Sequence, residues 1–99
     1  MEYIRVRWRH NNPEDPIWLI SELDDERWEI RKVEIFPNGS KGYADREIEF
    51  GGTWLGQVPV PPLSEISEDP EFLPEEISRE EFEAIWCERG SPATPGQFR

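Results

Sequence analysis

The first 43 residues contain three runs in which apolar and polar side chains follow a strand-like pattern, and each run carries a tryptophan. In residues 2–10, Ile4, Val6, Trp8 and His10 share one face, and Tyr3, Arg5, Arg7 and Arg9 share the other. The apolar set is expected to face a core and the arginines to face solvent. Residues 17–20 are apolar without interruption, the pattern of a strand covered on both sides. In residues 27–36 the phase slips: Trp28 and Ile30 hold one parity, Val33 and Ile35 the other. A β-bulge near Arg31 and Lys32 would return all four to one face. Asp24-Asp25-Glu26 reads as a tight turn between the second and third runs. Asn38-Gly39 suits a type I′ hairpin turn, from which a fourth strand would return over residues 42–50.

The pattern then changes. Residues 51–56 (GGTWLG) break regular structure, and residues 58–62 (VPVPP) predict an extended, polyproline-like segment. A short helix can form over 64–69 before Pro70 ends it. The strongest helix signal follows. Ser78 and Glu81 make a capping box, Ile77 and Phe82 stand at the positions of a hydrophobic staple, and Phe82, Ile85 and Trp86 form an apolar stripe. Gly90 is a natural stop. The expected fold is α+β: a single antiparallel sheet of about four strands with a C-terminal α-helix packed on one face. The expected domain is residues 1–89, with 90–99 a flexible tail.

Composition adjusts this picture in two ways. Hydrophobic residues make up 35% and charged residues 33%, a balance that leans toward disorder, but 12 aromatic side chains among 99 residues supply enough bulk for one core. The net charge of −11, from 22 acidic and 11 basic side chains, opposes binding to nucleic acid and to anionic membranes and favours basic partners. No run is long and apolar enough for a membrane helix, and the start lacks the plan of a secretion signal, so a cytoplasmic location is expected. One cysteine and one histidine exclude an internal disulfide and a histidine-based metal cluster.

Several groups of residues are candidates for function. Tyr3, Arg5, Arg7 and Arg9, with Arg31 or Arg27 from a neighbouring strand, could line a face for a nucleotide or another anion, since guanidinium groups hold phosphates and carboxylates bidentately. Those arginines could equally pair across strands with Glu22, Glu29, Glu34 or Glu47. Trp8, Trp28 and Trp86 fall on core-facing positions. Trp54, in a glycine-rich loop, could close the core or present a binding surface. Residues 51–56 lack the context of a phosphate loop, and the acids of residues 22–26 lack the spacing of a calcium loop. Cys87 and His10 would be the nucleophile and base on offer, but nothing in the sequence brings them together. No catalytic residue, metal or cofactor is expected. The densest acidic run, Glu65, Glu68, Asp69, Glu71, Glu75 and Glu76, is the candidate contact for a basic protein partner.

Taken together, residues 2–10, 21–36, 51–56, 69–72 and 74–82 resemble a family of small bacterial proteins of unknown function, over about residues 2–88. The resemblance implies a stand-alone bacterial or phage-borne domain and carries no catalytic residue. The expected function is a non-enzymatic acidic binding protein, as immunity proteins, antitoxins and phage inhibitors are. The alternative is a small-anion binder that uses the arginine face.

Overall fold

In the computed structural model, which describes residues 1–90, six strands form one antiparallel sheet. β1 (Glu2–Trp8), β2 (Trp18–Leu23), β3 (Glu29–Ile35), β4 (Lys41–Ala44) and β5 (Glu49–Phe50) run as a meander. A short helix, α1 (Leu63–Ile66), leads to β6 (Phe72–Glu76), and α2 (Arg79–Cys87) follows. The spatial order is β5-β4-β3-β2-β1-β6, so β6 returns to the free edge of β1. The expected tail lies outside the described residues, apart from Gly90.

The α+β class and the antiparallel sheet agree with the alternation in the sequence, but the expected count of about four strands is corrected to six. The predicted strand over 42–50 is two strands. Asp45 Oδ1 accepts the amides of Glu47 and Ile48, both at 2.8 Å, and turns the chain between β4 and β5. β6 was masked in the sequence by Pro74, which breaks a strand pattern but is tolerated at a sheet edge. The Asn38 turn is also corrected. Gly39 has φ 85° while Asn38 does not enter the left-handed region, and Phe36 N–H donates to Ser40 O at 2.9 Å. That is a three-residue loop with glycine in the left-handed position rather than a type I′ turn.

Apolar residues are buried on both faces of the sheet. On one, Tyr3, Ile20, Val33, Ile35, Ile77 and Phe82 cluster, with Trp18, Tyr43, Ile85 and Trp86 against them. On the other, Ile4, Val6 and Leu23 are joined by Leu19, Val60, Leu63, Ile66 and Phe72. The face of Tyr3, expected to look outward with the arginines, is therefore a core face; Tyr3 is 8% exposed and its ring centroid lies 5.3 Å from that of Phe82. β2 explains why: Trp18 and Ile20 supply one cluster while Leu19 supplies the other. Trp8 and Trp86 are half-buried, but Trp28, expected in the core, is 39% exposed. Glu22 pairs with Arg31 and Leu23 with Glu29, so Ile30 is the extra residue of the bulge. The phase slip occurs just before the position expected, and Trp28 precedes the ladder.

A strap of irregular chain crosses the second face. Glu34 accepts the Thr53 hydroxyl at 2.6 Å, and Glu29 accepts the Gly56 amide at 2.6 Å and the Ser21 hydroxyl at 2.9 Å. Arg27 holds the far end: its Nε donates to Val60 O and its Nη2 to Pro61 O, both at 2.8 Å, and it bonds Glu2. Val60 N–H returns a bond to Arg27 O at 2.8 Å. Arg27 adopts φ 68°, a conformation uncommon outside glycine, and the turn after Asp24 places it there.

Candidate functional site

The acidic run falls on α1, β6 and the turn between them. Glu65, Glu68, Asp69, Glu71, Glu75 and Glu76 are all exposed. Among the described residues Glu75 alone of the six has an ion pair, with Arg5. β6 is an edge strand, and its backbone is blunted. Ile77 N–H donates to Tyr3 O at 2.9 Å and Arg9 N–H to Glu71 O at 2.8 Å, so the odd-numbered residues point their polar groups at β1. Phe72, Pro74 and Glu76 point theirs outward. Phe72 N–H is used by Asp69 O at 3.0 Å, and Pro74 has no N–H. A further strand would find one amide, at Glu76. The edge therefore offers side-chain charge rather than a ladder of free amides.

The arginine face is largely paired. Arg5 donates from Nε to Glu75 at 2.8 Å, and both Arg5 and Arg7 lie over the Trp18 ring, at 5.5 and 5.3 Å from its centroid. Arg31 forms a double fork. Nε and Nη2 donate to Glu22 at 2.6 and 3.0 Å, while Nη1 and Nη2 donate to Glu83 of α2, each at 2.9 Å. Its guanidinium also lies 4.8 Å above Phe82 and 5.2 Å from Trp86. Hydrogen bonds to Glu22 and Glu83 raise the Arg31 pKa still further, and the bond from Arg31 holds Glu83 below the usual carboxylate range. Burial, then its hydrogen bond with Glu22, raises the phenol pKa of Tyr3. Pairing with Glu22, foreseen as one option for these arginines, accounts for Arg31; Arg5 uses Glu75, on a strand the sequence pattern did not reveal.

Arg7 and Arg9 make no ion pair among the described residues. Trp54 is 61% exposed, but its neighbours Thr53 and Gly56 bond Glu34 and Glu29 on the opposite face from Arg5 and Arg7. The structure brings Tyr3, Arg5, Arg7 and Arg31 onto one face and leaves Trp54 off it. Arg9 lies just past the end of β1.

The other motifs are occupied by local bonding. His10 Nδ1 accepts the Asn12 amide at 3.0 Å, which leaves Nε2 to donate to Pro16 O at 2.8 Å; both ring nitrogens serve the 10–16 loop. Cys87 is exposed at the end of α2. Asp24 Oδ1 accepts the amides of Glu26 and Trp28, each at 2.9 Å. No three His, Cys, Asp or Glu side chains converge to hold a metal ion among the described residues. No helix among them is long and apolar enough to cross a membrane.

Sequence reasoning placed Arg27 on the arginine face and offered Glu29 and Glu34 as arginine partners; it missed that Arg27 anchors the strap and that Glu29 and Glu34 form a half-buried set with Lys32. Lys32 Nζ lies 3.5 Å from Glu29 and 4.0 Å from Glu34. Charges at alternate positions of a strand signal a solvated face, and only the strap that covers them turns that face inward. No match was found among curated proteins or among solved structures. A family model does match, over residues 2–91, nearly the whole chain and with the extent that the resemblance implied. The chain belongs to the family described as Domain of unknown function (DUF6881).

Proposed function

We propose that this protein is a non-enzymatic binding module that recognises a basic protein through the acidic surface of α1 and β6. The observation that carries this reading is that five of the six carboxylates there lack an ion pair among the described residues, on a protein with enough acid to leave them so. Unpaired surface carboxylates raise the local concentration of a cationic partner and orient its approach. Pro74 and the acids beside it make strand addition a poor mode of contact, so recognition proceeds through side chains. The pairing of Arg5 and Arg31 within the fold favours this reading over an anion site. An immunity protein, an antitoxin or a phage inhibitor would work in this way, in the cytoplasm of a bacterium.

The test is co-purification from the native host at low salt, run beside a Glu68→Gln/Glu71→Gln/Glu76→Gln variant. A basic protein retained by the parent, lost by the variant and released as salt rises is the expected result. Equal retention by both forms, or no basic protein at all, would overturn the reading. A second reading, a small anion on the arginine face, is kept by one observation: Arg7 and Arg9 have no carboxylate partner among the described residues. A nucleotide panel that leaves melting temperature and tryptophan emission unchanged removes it.

A further inference from the structure

A pocket of about 390 Å³ opens on the second face, between the sheet and residues 60–69. Its size lies within the range of small-molecule sites, roughly 300–1,000 Å³. Ile4, Val6 and Leu19, with Phe72 of β6, form the sheet side, and Val60 and Ile66 form the opposite wall. Arg27 fixes the strap above it, through Val60 and Pro61, so the pocket is part of the built fold.

The charges around the pocket choose its occupant. Three carboxylates (Glu29, Glu65 and Asp69) and one ammonium, Lys32, line it. Glu29 is satisfied from within by Ser21 and Gly56, and Lys32 is drawn to Glu29 and Glu34 at the floor. Glu65 and Asp69 stand exposed and have no ion pair among the described residues. An anionic head would meet like charges there, within the field of a molecule that carries −11. A neutral hydroxyl could donate one hydrogen bond to them but gains no charge attraction. A cationic head gains both carboxylates and the face of Phe72.

We propose that this pocket binds a small molecule with an apolar body and a single ammonium head, the body on Ile4, Val6, Leu19 and Ile66 and the head at Glu65 and Asp69. The site shares Glu65 and Asp69 with the acidic surface of the basic-protein reading but does not rest on it, since that reading needs no pocket.

Hexylammonium, hexanol and hexanoate are titrated at one ionic strength into the full chain with labelled methyl groups. Hexylammonium should shift the methyl signals of Ile4, Val6, Leu19 and Ile66 and bind about fivefold more tightly than hexanol, the return expected from charge pairs at a wet rim. Hexanoate should bind more weakly than either. Glu65→Gln/Asp69→Asn should bring hexylammonium down to the affinity of hexanol, and Ile66→Trp should fill the pocket and abolish binding. Should Ile66→Trp not fold, the shift map of the parent protein and the double variant decide. Equal binding of hexanol or hexanoate overturns the proposal, as do shifts confined to other residues. A lysine-rich peptide that binds while hexylammonium does not would overturn it too, and would leave the basic-protein reading standing.

Discussion

Arg31 holds two carboxylates from two different elements and lies over two rings, so it joins β2, β3 and α2 at one point. Its partners are unequally buried, the Glu22 side chain at 8% exposed and Glu83 at 38%. Arg31→Met would keep much of the contact with the rings but leave Glu22 buried without its counter-charge. A loss of about 3 kcal/mol is expected, read from urea unfolding, and the double variant Arg31→Met/Glu22→Leu should recover part of it. Gly42 is a second point where one atom matters. A Cβ there would stand 2.1 Å from Thr53 Oγ1 and 3.1 Å from the Phe50 carbonyl oxygen. Gly42→Ala should therefore cost about 1–3 kcal/mol by pushing Thr53 away from Glu34. Gly52→Ala has open space around its Cβ, and any cost there comes from its φ of 82° alone. Melting curves of the two variants separate crowding from backbone strain.

Among the elements, the strap and α2 depend on different anchors. The strap packs Val60 on the second cluster but leaves Trp54 and Val58 exposed, and polar bonds tie it to the sheet: Glu34 to Thr53, Glu29 to Gly56, and Arg27 to Val60 and Pro61. Arg27→Ala removes the last of these. Hydrogen exchange should then show the Val60 amide losing protection while the amides of β2 and β3 keep theirs, because local opening need not open the core. Loss of protection throughout would show that the strap is part of the cooperative unit. α2 begins with its capping box, Glu81 N–H to Ser78 Oγ at 3.0 Å and Ser78 N–H to Glu81 Oε1 at 3.3 Å. It ends with Lys41 donating to Glu88 O at 3.0 Å and Arg89 over the Trp86 and Tyr43 rings. A cation at the helix C-terminus complements its dipole. Ile77 and Phe82, the staple pair, are buried together in the first cluster.

For the whole molecule, these linkages set a window of stability in pH. Glu83 is held below its ordinary value by Arg31, so its contribution is present above the usual glutamate range, about pH 4.3, and is lost as pH falls through the lower folded value. Tyr3 is raised by burial and by Glu22, so its contribution is present below the usual tyrosine value, about 10, and is lost as pH rises through the higher folded value. Lys41, lowered by burial, acts in the opposite sense on the alkaline side, since losing its proton relieves the cost of burying charge. Unfolding free energy should be flat between these limits and fall on both sides. Tyr3→Phe should flatten the alkaline fall and Glu83→Gln part of the acid one. An alkaline arm unchanged in Tyr3→Phe would mean that another group controls it.

The sequence by itself determined the features that depend on neighbours along the chain. Alternation over residues 2–10 defined β1, the unbroken apolar run over residues 17–20 defined β2, Ser78 with Glu81 defined the start of α2, and the phase slip in residues 27–36 announced the bulge. It also determined the acid excess and the run from Glu65 to Glu76. Only the tertiary structure decided what depends on contacts far apart in the chain. β6 exists because β1 offers a free edge. The face of Tyr3 is buried because both sides of β2 are apolar and each finds cover. Arg5 and Arg31 are engaged because Glu75 and Glu83 arrive from distant segments. The pocket exists because Arg27 holds Val60 and Pro61 over Ile4 and Val6. A local pattern records which face a residue takes; what covers that face is decided by chain that arrives from elsewhere.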